Sequence, residues 1–432
     1  MSMSKILSLA LLMIPIMARA ETPTVSGPLN LNNAVQTALK YSPMIQSAGY
    51  QASAAEARVG MAQAMTRPQL SVTGIAGNSS MGGILASPPS VTPQGITSFP
   101  SDTATTGGLM LMFPIYTGGR LAAAMKGAKA LSSAAGLDKA AVERNVSMEA
   151  KTAYHRALLA DAFVEVYQNL VNEEQERVRI AQAAFDEGKI AKFDLLRNQA
   201  DLANAQQQLE NAKRDSQVAM VDLKTILGIS QGSNVTLSDK LEYAAVTENL
   251  DAFLKRAEDR PELASAKAKV NSAQADIDAA KGLYKPQVYV NAMQGVTAAW
   301  GESESGYTVG VSVGLTLIDG GLRQSEVREV ESMLNAMKSE EQQTRLAVEQ
   351  EVRTAWAELE AGDRNVQLSR AAVTQAEEDY RVVKLRYESG KTINVEVLDA
   401  LFSLVRAQTN ELSALYDHNI ARDTLARAVG EI

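Results

Sequence analysis

The chain has 432 residues, of which 42 are Lys or Arg and 50 are Asp or Glu, so its formal net charge is −8. Sequence-independent nucleic-acid binding needs clustered excess basic charge, so we expect no nucleic-acid partner. The chain contains no cysteine, which excludes disulfides, thiol catalysis, Cys-ligated metals and a lipidated N-terminal Cys. It has two histidines and 16 methionines scattered along the sequence. We therefore expect no metal site, no cofactor, no copper-export cluster and no enzymatic activity.

Residues 1–20 have the pattern of a secretory signal peptide. Lys5 precedes an apolar stretch of 12 residues at 6–17, and Ala18-Arg19-Ala20 forms a small-x-small cleavage site. A membrane-anchoring helix is the weaker interpretation, because it would need about 20 apolar residues. We expect an exported protein that begins at Glu21, in which any membrane crossing is made by strands.

The rest of the chain is an internal duplication of one large unit. The motif Arg-Pro-Gln-Leu at 67–70 matches Lys-Pro-Gln-Val at 285–288, an offset of 218 residues. Further along, Phe-Asp-Glu-Gly-Lys at 185–189 matches Tyr-Glu-Ser-Gly-Lys at 387–391, an offset of 202. The two offsets differ by 16, which indicates an insertion in the first copy. The proline-rich residues 78–104 are its obvious location.

Each copy of the unit predicts the same series of elements: helix, strand, loop, strand, long helix, break, helix. The predicted divisions are a first repeat at 21–230, an inter-repeat segment at 231–250 and a second repeat at 251–432. The predicted strands lie around 69–78, 105–116, 287–297 and 307–318. The predicted long helices are 120–186, 192–227, 322–388 and 394–429.

The strands are predicted from a strict alternation of apolar and small or polar residues. In the last strand the apolar face consists of Tyr307, Val309, Val311, Val313, Leu315 and Leu317. Its counterpart in the first repeat consists of Leu109, Leu111, Phe113 and Ile115. Strands of about 10 residues suit a tilted bilayer crossing. A soluble sandwich would explain any single strand, but four of them in an exported chain favour a membrane barrel.

The helices are predicted from a seven-residue apolar repeat in segments without proline. Residues 115–260 and 287–432 contain no proline, the strongest helix breaker. In the second repeat the seven-residue spacing runs through Val352, Leu359, Val366, Val373, Tyr380 and Tyr387. Heptads of this kind predict coiled-coil-like packing. A helical bundle without a channel fits the helices equally well when they are considered alone.

Strands and helices together require an oligomer. Four strands cannot close a barrel, since the smallest have about eight, and an open sheet edge is not tolerated in hydrocarbon. The predicted fold class is mixed and mainly α, with long coiled-coil-like helices and four strands per chain for a shared membrane barrel. A periplasmic coiled-coil scaffold is the alternative function, although it needs no apolar strand face. A secreted hydrolase is disfavoured, because no catalytic constellation is present.

The sequence resembles the TolC family of outer-membrane efflux proteins over essentially the whole mature chain. The resemblance rests on the duplication and on the motifs at 67–70, 117–120, 185–194, 285–288, 319–323 and 387–399. It implies a homotrimer with a 12-stranded barrel in outer-membrane lipid and a helical tunnel in the periplasm of a Gram-negative bacterium, with 231–250 as an equatorial segment. It also implies a passive exit duct of a tripartite efflux or type I secretion system. Such a duct docks on an inner-membrane pump through a periplasmic adaptor.

The resemblance further implies an iris-like gate at the periplasmic entrance. Glu396 and Asp399 match the family's constriction carboxylates, and a spacing of three places them on one helix face. In a trimer they would form two rings of three carboxylates, a cation-selecting arrangement. Acidic residues on a solvated helix face are the plainer explanation. Tyr387 and Asp194 match positions that hydrogen-bond between two hairpins in the family.

One gate position departs from the family pattern. The family's basic gate residue falls at Thr392, so its salt bridge to the Asp194 region is absent. Either Lys391 or Lys189 replaces it, or the gate is looser. These two lysines, with Gly188 and Gly390, occupy the hairpin tips where adaptors dock in the family, although helix termination alone would explain the glycines. The sites implied for this chain are therefore a gate and a docking surface.

Overall fold

The structure is a computed structural model that describes residues 23–79, 91–92, 95–96, 102–299 and 302–431. The predicted signal peptide at 1–20 lies outside the described residues, as does much of the proposed insertion at 78–104. The elements in chain order are β1 (Gly27–Leu29), α1 (Leu31–Tyr41), α2 (Pro43–Ala64), β2 (Gln69–Ser79), β3 (Val91–Thr92), β4 (Gly95–Ile96), β5 (Asp102–Thr117), α3 (Arg120–Asp186), α4 (Lys192–Ile226), β6 (Val235–Leu237), α5 (Leu250–Ala257), α6 (Pro261–Gly282), β7 (Gln287–Ala299), β8 (Glu302–Gly314), α7 (Leu322–Glu388) and α8 (Asn394–Ala428).

The helices of the two repeats have equal lengths. Helices α3 and α7 each contain 67 residues, and α4 and α8 each contain 35. Helices α4 and α8 end one residue before the predicted positions, in the last turn, where helix ends fray. None of the described helices combines the length and the apolar character that a membrane span requires.

Four strands form one antiparallel sheet in the order β2-β5-β7-β8, which confirms the predicted number of long strands. Their register aligns the apolar faces, so that Leu70, Leu111, Ala292 and Val309 stand opposite one another in succession. This face is open: Tyr307 and Val309 are 83 % and 68 % exposed. Strands β2 and β8 each have one edge that is unpaired within the described chain. An apolar open face and two free edges are not stable in water.

The last strand is shorter at its end than predicted. It was expected at 307–318 but covers Glu302–Gly314. Gly314 is the Cα partner of Gln287, where β7 begins, so residues 315–318 have no partner strand among the residues that the structure describes. The alternation of Leu315 and Leu317 therefore continues beyond the hydrogen-bonded ladder. Its start is earlier because β7 extends to Ala299.

A bulge in β5 corrects the predicted apolar face of that strand. Phe113 stands opposite Val290 and Tyr116 stands opposite Val288, and the register shifts between them. Ile115, which was predicted to continue the apolar face, is thus the extra residue and has no Cα partner. The neighbouring Pro114 explains this position, because proline has no N–H to donate to the ladder and is tolerated at bulges.

The chain divides into two compact units, each built from three chain segments. The first unit contains the described parts of Met1–Pro43, Glu149–Glu242 and Leu368–Tyr416, and the second those of Met44–Met148, Tyr243–Gln367 and Asp417–Ile432. The four-stranded sheet lies in the second unit. The first unit contains both helix-hairpin turns, α3 to α4 and α7 to α8.

Each unit has its own helical core. In the first unit the buried residues are Leu170, Val171, Ala205, Leu209 and Leu401. The core of the second unit includes Phe253, Val348, Val352, Ala355, Leu359 and Leu425. The predicted heptad positions Val352, Leu359 and Val366 are all at most 1 % exposed, whereas the later heptad positions are half-buried. The heptad thus faces a core in the second unit and a partly covered surface in the first.

A small parallel sheet in the first unit was not predicted. Strand β1 pairs with β6 inside the inter-repeat segment 231–250. The buried Tyr154 hydroxyl lies 2.8 Å from the Leu29 carbonyl oxygen and 3.0 Å from a carboxylate oxygen of Asp239. Burial, together with Asp239, raises the pKa of Tyr154 to about 12, so its hydroxyl stays a neutral donor at physiological pH. Three-residue strands are too short for an alternation to be visible in the sequence.

Candidate functional site at the helix-hairpin turns

The two hairpin turns have the same backbone structure. Gly188 and Gly390 have φ angles of 70° and 72°, in the left-handed region that only glycine occupies without strain. In each turn the glycine N–H donates three residues back, and the following lysine N–H donates five residues back over 2.8 Å. This pair of bonds is the Schellman motif, which satisfies the last carbonyls of a helix. The glycines therefore end α3 and α7, and adaptor docking at them stays a prediction.

The acidic pair lies in the first two turns of α8. Glu396 and Asp399 are both exposed, and their spacing puts them on the same side of the helix. The Thr392 hydroxyl donates a hydrogen bond to the Glu396 carboxylate, so the residue at the family's basic position contacts one of the two carboxylates. Negative charge at a helix N-terminus is stabilised by the helix dipole. The structure thus presents both carboxylates to solvent, and their arrangement in rings stays a prediction.

Tyr387 and Asp194 are not joined by a hydrogen bond within the described chain. Both are half-buried. Tyr387 is the penultimate residue of α7, and Asp194 lies in the first turn of α4, where its backbone carbonyl accepts a bond from the Asn198 side chain. Lys189 forms an exposed ion pair with Glu187. Lys391 forms no ion pair in the part of the chain that the structure describes. A replacement of the family's basic residue by Lys189 or Lys391, or a looser gate, stays a prediction.

A polar network that the sequence did not reveal lies between the hairpins. Arg177 on α3 contacts Glu174 on the same helix (2.9 Å), Asn198 on α4 (3.3 Å) and Asn394 on α8 (2.8 Å). The side chain of Asn394 also donates to Asn198 over 3.2 Å. Glu174 is fully buried and Asn198 is 3 % exposed. The network therefore connects the first hairpin to the start of the last helix through groups withdrawn from water.

The electrostatics of this network depend on Glu174. Burial raises the pKa of Glu174; the adjacent Arg177 opposes this effect, while Asp201 adds to it. One oxygen of Glu174 and one of Asp201 are buried without a hydrogen-bond partner among the described residues. The positive charge of Arg177 therefore balances the negative charge of more than one carboxylate. Loss of its charge would leave these groups unsatisfied, which is costly in a buried site.

A second contact joins the hairpins on the side of α7. The carboxylate of Glu173 accepts hydrogen bonds from the Tyr380 hydroxyl (2.7 Å) and the Lys384 ammonium (2.9 Å). Burial alone would raise the pKa of Glu173, but the bonds from Lys384 and Tyr380 outweigh it and lower that pKa. Burial, with Glu173 nearby, raises the pKa of Tyr380. Tyr380 occupies a predicted heptad position, where the sequence pattern indicated only apolar packing. Its hydroxyl also forms a hydrogen bond to Glu173.

One sequence signal could have indicated the network. At the offset of 202 that aligns the repeats, Glu174 corresponds to Ala376, and Asn198 corresponds to Ala400. Ala400 is 4 % exposed. A polar residue in one repeat where the other has a core alanine needs a buried partner. The partner itself, Asn394, is 217 residues away from Arg177 and could not be chosen from the sequence.

The sequence model of a family described as "Outer membrane efflux protein" matches residues 34–229 and 255–431. The chain belongs to this family. The two matched segments correspond to the two repeats. Membership confirms the resemblance, the efflux class and the outer-membrane location predicted above. It gives no support to the alternative of a periplasmic scaffold.

Relatives of the chain agree with this assignment. The outer membrane efflux protein BepC of Brucella suis is 24 % identical over 299 residues, which cover 67 % of this chain and 64 % of BepC. The structure is similar to the CmeC outer membrane channel of Campylobacter jejuni, with a TM-score of 0.78, 18 % identity and coverage of 93 % of this chain and 85 % of CmeC. It is also similar to the outer membrane protein VceC of Vibrio cholerae, with a TM-score of 0.76 and 18 % identity. The match covers 93 % of this chain and 96 % of VceC. These structures confirm the predicted fold class.

Proposed function

We propose that this protein is the outer-membrane channel of a tripartite efflux or type I secretion system. It acts as a passive exit duct for a cargo that an inner-membrane pump supplies through a periplasmic adaptor. The observation that carries the proposal is the sheet β2-β5-β7-β8 with its aligned, exposed apolar face. Such a face is suited to lipid contact, and the opposite face, with Ser71, Thr308 and Ser312, is suited to a water-filled lumen.

The free edges of β2 and β8 support a homotrimer. Every backbone N–H and C=O group must be satisfied inside a bilayer, and pairing of β2 with β8 of a neighbouring copy would achieve this. Three copies give 12 strands, a size within the range of membrane barrels. Native mass spectrometry of the detergent-extracted protein should give a mass of three chains. A folded monomer that is stable without detergent would contradict the proposal.

Glu396 and Asp399 are the proposed cation-selecting carboxylates of the periplasmic gate. In a trimer they would concentrate six carboxylates at one constriction, so channels in planar bilayers should prefer cations. Multivalent cations added on the periplasmic side should block them. The variant Glu396→Ala/Asp399→Ala should lose this block and reduce the preference. The matched control Glu377→Ala/Asp379→Ala removes the same charge from exposed positions of α7 and should retain both properties.

Tyr387 and Asp194 are proposed to hold the gate shut. They form no hydrogen bond with each other within the described chain, so the proposed bonds would form between chains of the assembled channel. Tyr387→Phe should then raise the resting conductance slightly, because one hydrogen bond contributes about 1 kcal/mol.

The proposed adaptor-docking positions are Gly188, Lys189, Gly390 and Lys391. Replacing Lys189 and Lys391 by Glu should weaken adaptor capture, measured by cross-linking, without changing the conductance of the isolated channel.

A further inference from the structure

Three methionines lie together on the polar face of the sheet. Strand register places Met110 of β5 directly opposite Met293 of β7. Met112 follows two residues along β5 and therefore points to the same face. Directly opposed residues in an antiparallel sheet have Cβ atoms about 4.5–5.5 Å apart. Three flexible thioether side chains thus start from adjacent positions on one surface, although Met293 is far from Met110 and Met112 in the sequence.

Next to the Met110–Met293 pair, three neighbouring strands carry glycine on the same face. The adjacent row of the same face contains Gly108, Gly295 and Gly306, which stand opposite one another across three strands, and it ends in Thr73 of β2. A Cβ atom built on Gly295 would lie 3.4 Å from the terminal methyl carbon of Met293. The Met293 side chain therefore leans towards the glycine row. The glycine row is therefore a shallow depression, in which the backbone is exposed and the methionine thioethers lie along one side.

Packing does not explain these methionines. In cores, methionine fills irregular gaps between apolar side chains, but this face of the sheet carries mainly small and polar residues. The Met110–Met293 row ends in Ser71 on one side and Thr308 on the other. The apolar residues of the strands, such as Leu111 and Val309, point to the opposite face. Three long apolar side chains on a water-facing surface need another reason.

The chemistry of this depression selects soft, monovalent metal ions. Thioethers are neutral, polarizable donors that prefer Cu(I) and comparable ions such as Ag(I), whereas Mg²⁺ and Ca²⁺ require oxygen ligands and Zn²⁺ prefers thiolate or imidazole. Within the described ranges, no group of three His, Asp or Glu residues is placed to hold a metal ion. The polar residues that stand opposite the three methionines are Gln69, Ser71, Asn291 and Thr308, none of which is acidic. The Asn291 side chain donates to Ser312 over 2.8 Å.

We propose that Met110, Met112 and Met293 form a binding site for a soft monovalent metal ion, Cu(I) or Ag(I), on the lumen face of the barrel. The site revises the expectation of no metal site and no copper-export cluster, which considered the methionines only by their positions in the sequence. It rests on the proposed function in one respect, namely that the polar face of the sheet lines the channel. A trimer would carry three such sites, along the path of an exported ion.

The test uses Ag(I), which needs no reductant, and the full-length protein in detergent and chloride-free buffer. Calorimetric titration with silver nitrate should show about one ion bound per chain, and Ag K-edge absorption should show sulfur neighbours. Met110→Leu/Met293→Leu preserves side-chain volume and should weaken binding at least tenfold. The control Met333→Leu/Met337→Leu removes the same number of thioethers from α7 and should leave binding unchanged.

The outcomes separate this inference from the proposed function. Absence of Ag(I) binding, or equal binding by the Met110→Leu/Met293→Leu variant, overturns the metal site even if the protein conducts ions. Loss of binding in that variant, with normal trimer yield and normal potassium conductance, supports it. Thioether-dependent binding by a protein that forms no channel would retain the site and refute the proposed function.

Discussion

Arg177 on α3 donates a hydrogen bond of 2.8 Å from Nη2 to the side-chain oxygen of Asn394, the first residue of α8. The bond joins the α3–α4 hairpin to the α7–α8 hairpin, and Arg177 lies between two and three turns before the end of α3. Because Arg177 also contacts the buried Glu174, separating the two hairpins would expose or orphan charged groups together. The helix ends that carry the proposed gate are therefore linked by an interaction whose loss is costly.

Replacing Arg177 by Met should destabilise the hairpins and raise the resting conductance. Removing one partner of a buried ion pair typically costs about 3–5 kcal/mol, and the Arg177 side chain is only 10 % exposed. The measurements are the thermal unfolding midpoint in detergent and single-channel recording. Arg179→Met is the control, since the Arg179–Glu176 pair is 70 % and 49 % exposed and should contribute little. Equal effects of the two variants would show that Arg177 has no special role.

Replacing Tyr380 by Phe should loosen the contact between α3 and α7 and increase channel opening modestly. The substitution removes the 2.7 Å bond to Glu173 but keeps the ring in its heptad position. A hydrogen bond to a charged acceptor contributes about 1.5–3 kcal/mol, and Lys384 would retain part of the contact. The frequency of spontaneous openings in bilayers measures the effect. Tyr50→Phe, at a site that is 75 % exposed, should change nothing.

The features predictable from the sequence were those that depend on local pattern. Proline placement and the repeated motifs predicted two sets of long helices, which the structure has with equal lengths. Period-two alternation predicted which side of each long strand is apolar, and the register aligns those sides. These predictions succeed because each depends on the geometry of a single element, a helix turn or a pleat.

The features that could not be predicted depend on which distant residues meet. The end of β8 at Gly314 is set by where β7 begins, and the bulge at Ile115 is set by pairing with Val288 and Val290. The Arg177–Asn394 bond and the Met110–Met293 pair join residues about 200 positions apart. A one-residue change of register would place Met110 opposite another residue, and the sequence alone does not determine that register.

A basic side chain on the apolar face of the sheet should block assembly, whereas one on the opposite face should not. Val311→Arg places a charge among exposed apolar residues, at a cost of about 2–4 kcal/mol at mid-bilayer, in every chain of the oligomer. Ser312→Arg points to the polar face and loses only the bond from Asn291. The yield of detergent-extracted trimer measures both. Equal loss in the two variants would mean that the polar face does not line water.

Acid should destabilise the second unit through Glu262. Burial alone would raise the pKa of this carboxyl, but the hydrogen bond from Arg260 and the charge of Arg144, 2.9 Å away, outweigh it and lower the pKa to about 2. Since the ordinary value is 4.5, the folded state binds fewer protons at Glu262 than the unfolded state between those two values. The stabilisation is therefore complete above pH 4.5 and is lost as the pH falls towards 2. Solvent screening of this half-buried group limits it to about 1–2 kcal/mol.

The variant Glu262→Gln tests this pH dependence directly. It should lower the unfolding midpoint at pH 7 and flatten its decline between pH 4.5 and 2, because the group that titrates there has been removed. Glu258→Gln, an exposed carboxyl in the same unit, should keep the wild-type profile. Circular dichroism melts at closely spaced pH values measure both curves. If the unfolding midpoint of Glu262→Gln fell as steeply with decreasing pH as that of the wild type, other carboxyls would account for the acid sensitivity. The Arg260–Glu262 pair would then not stabilise the fold.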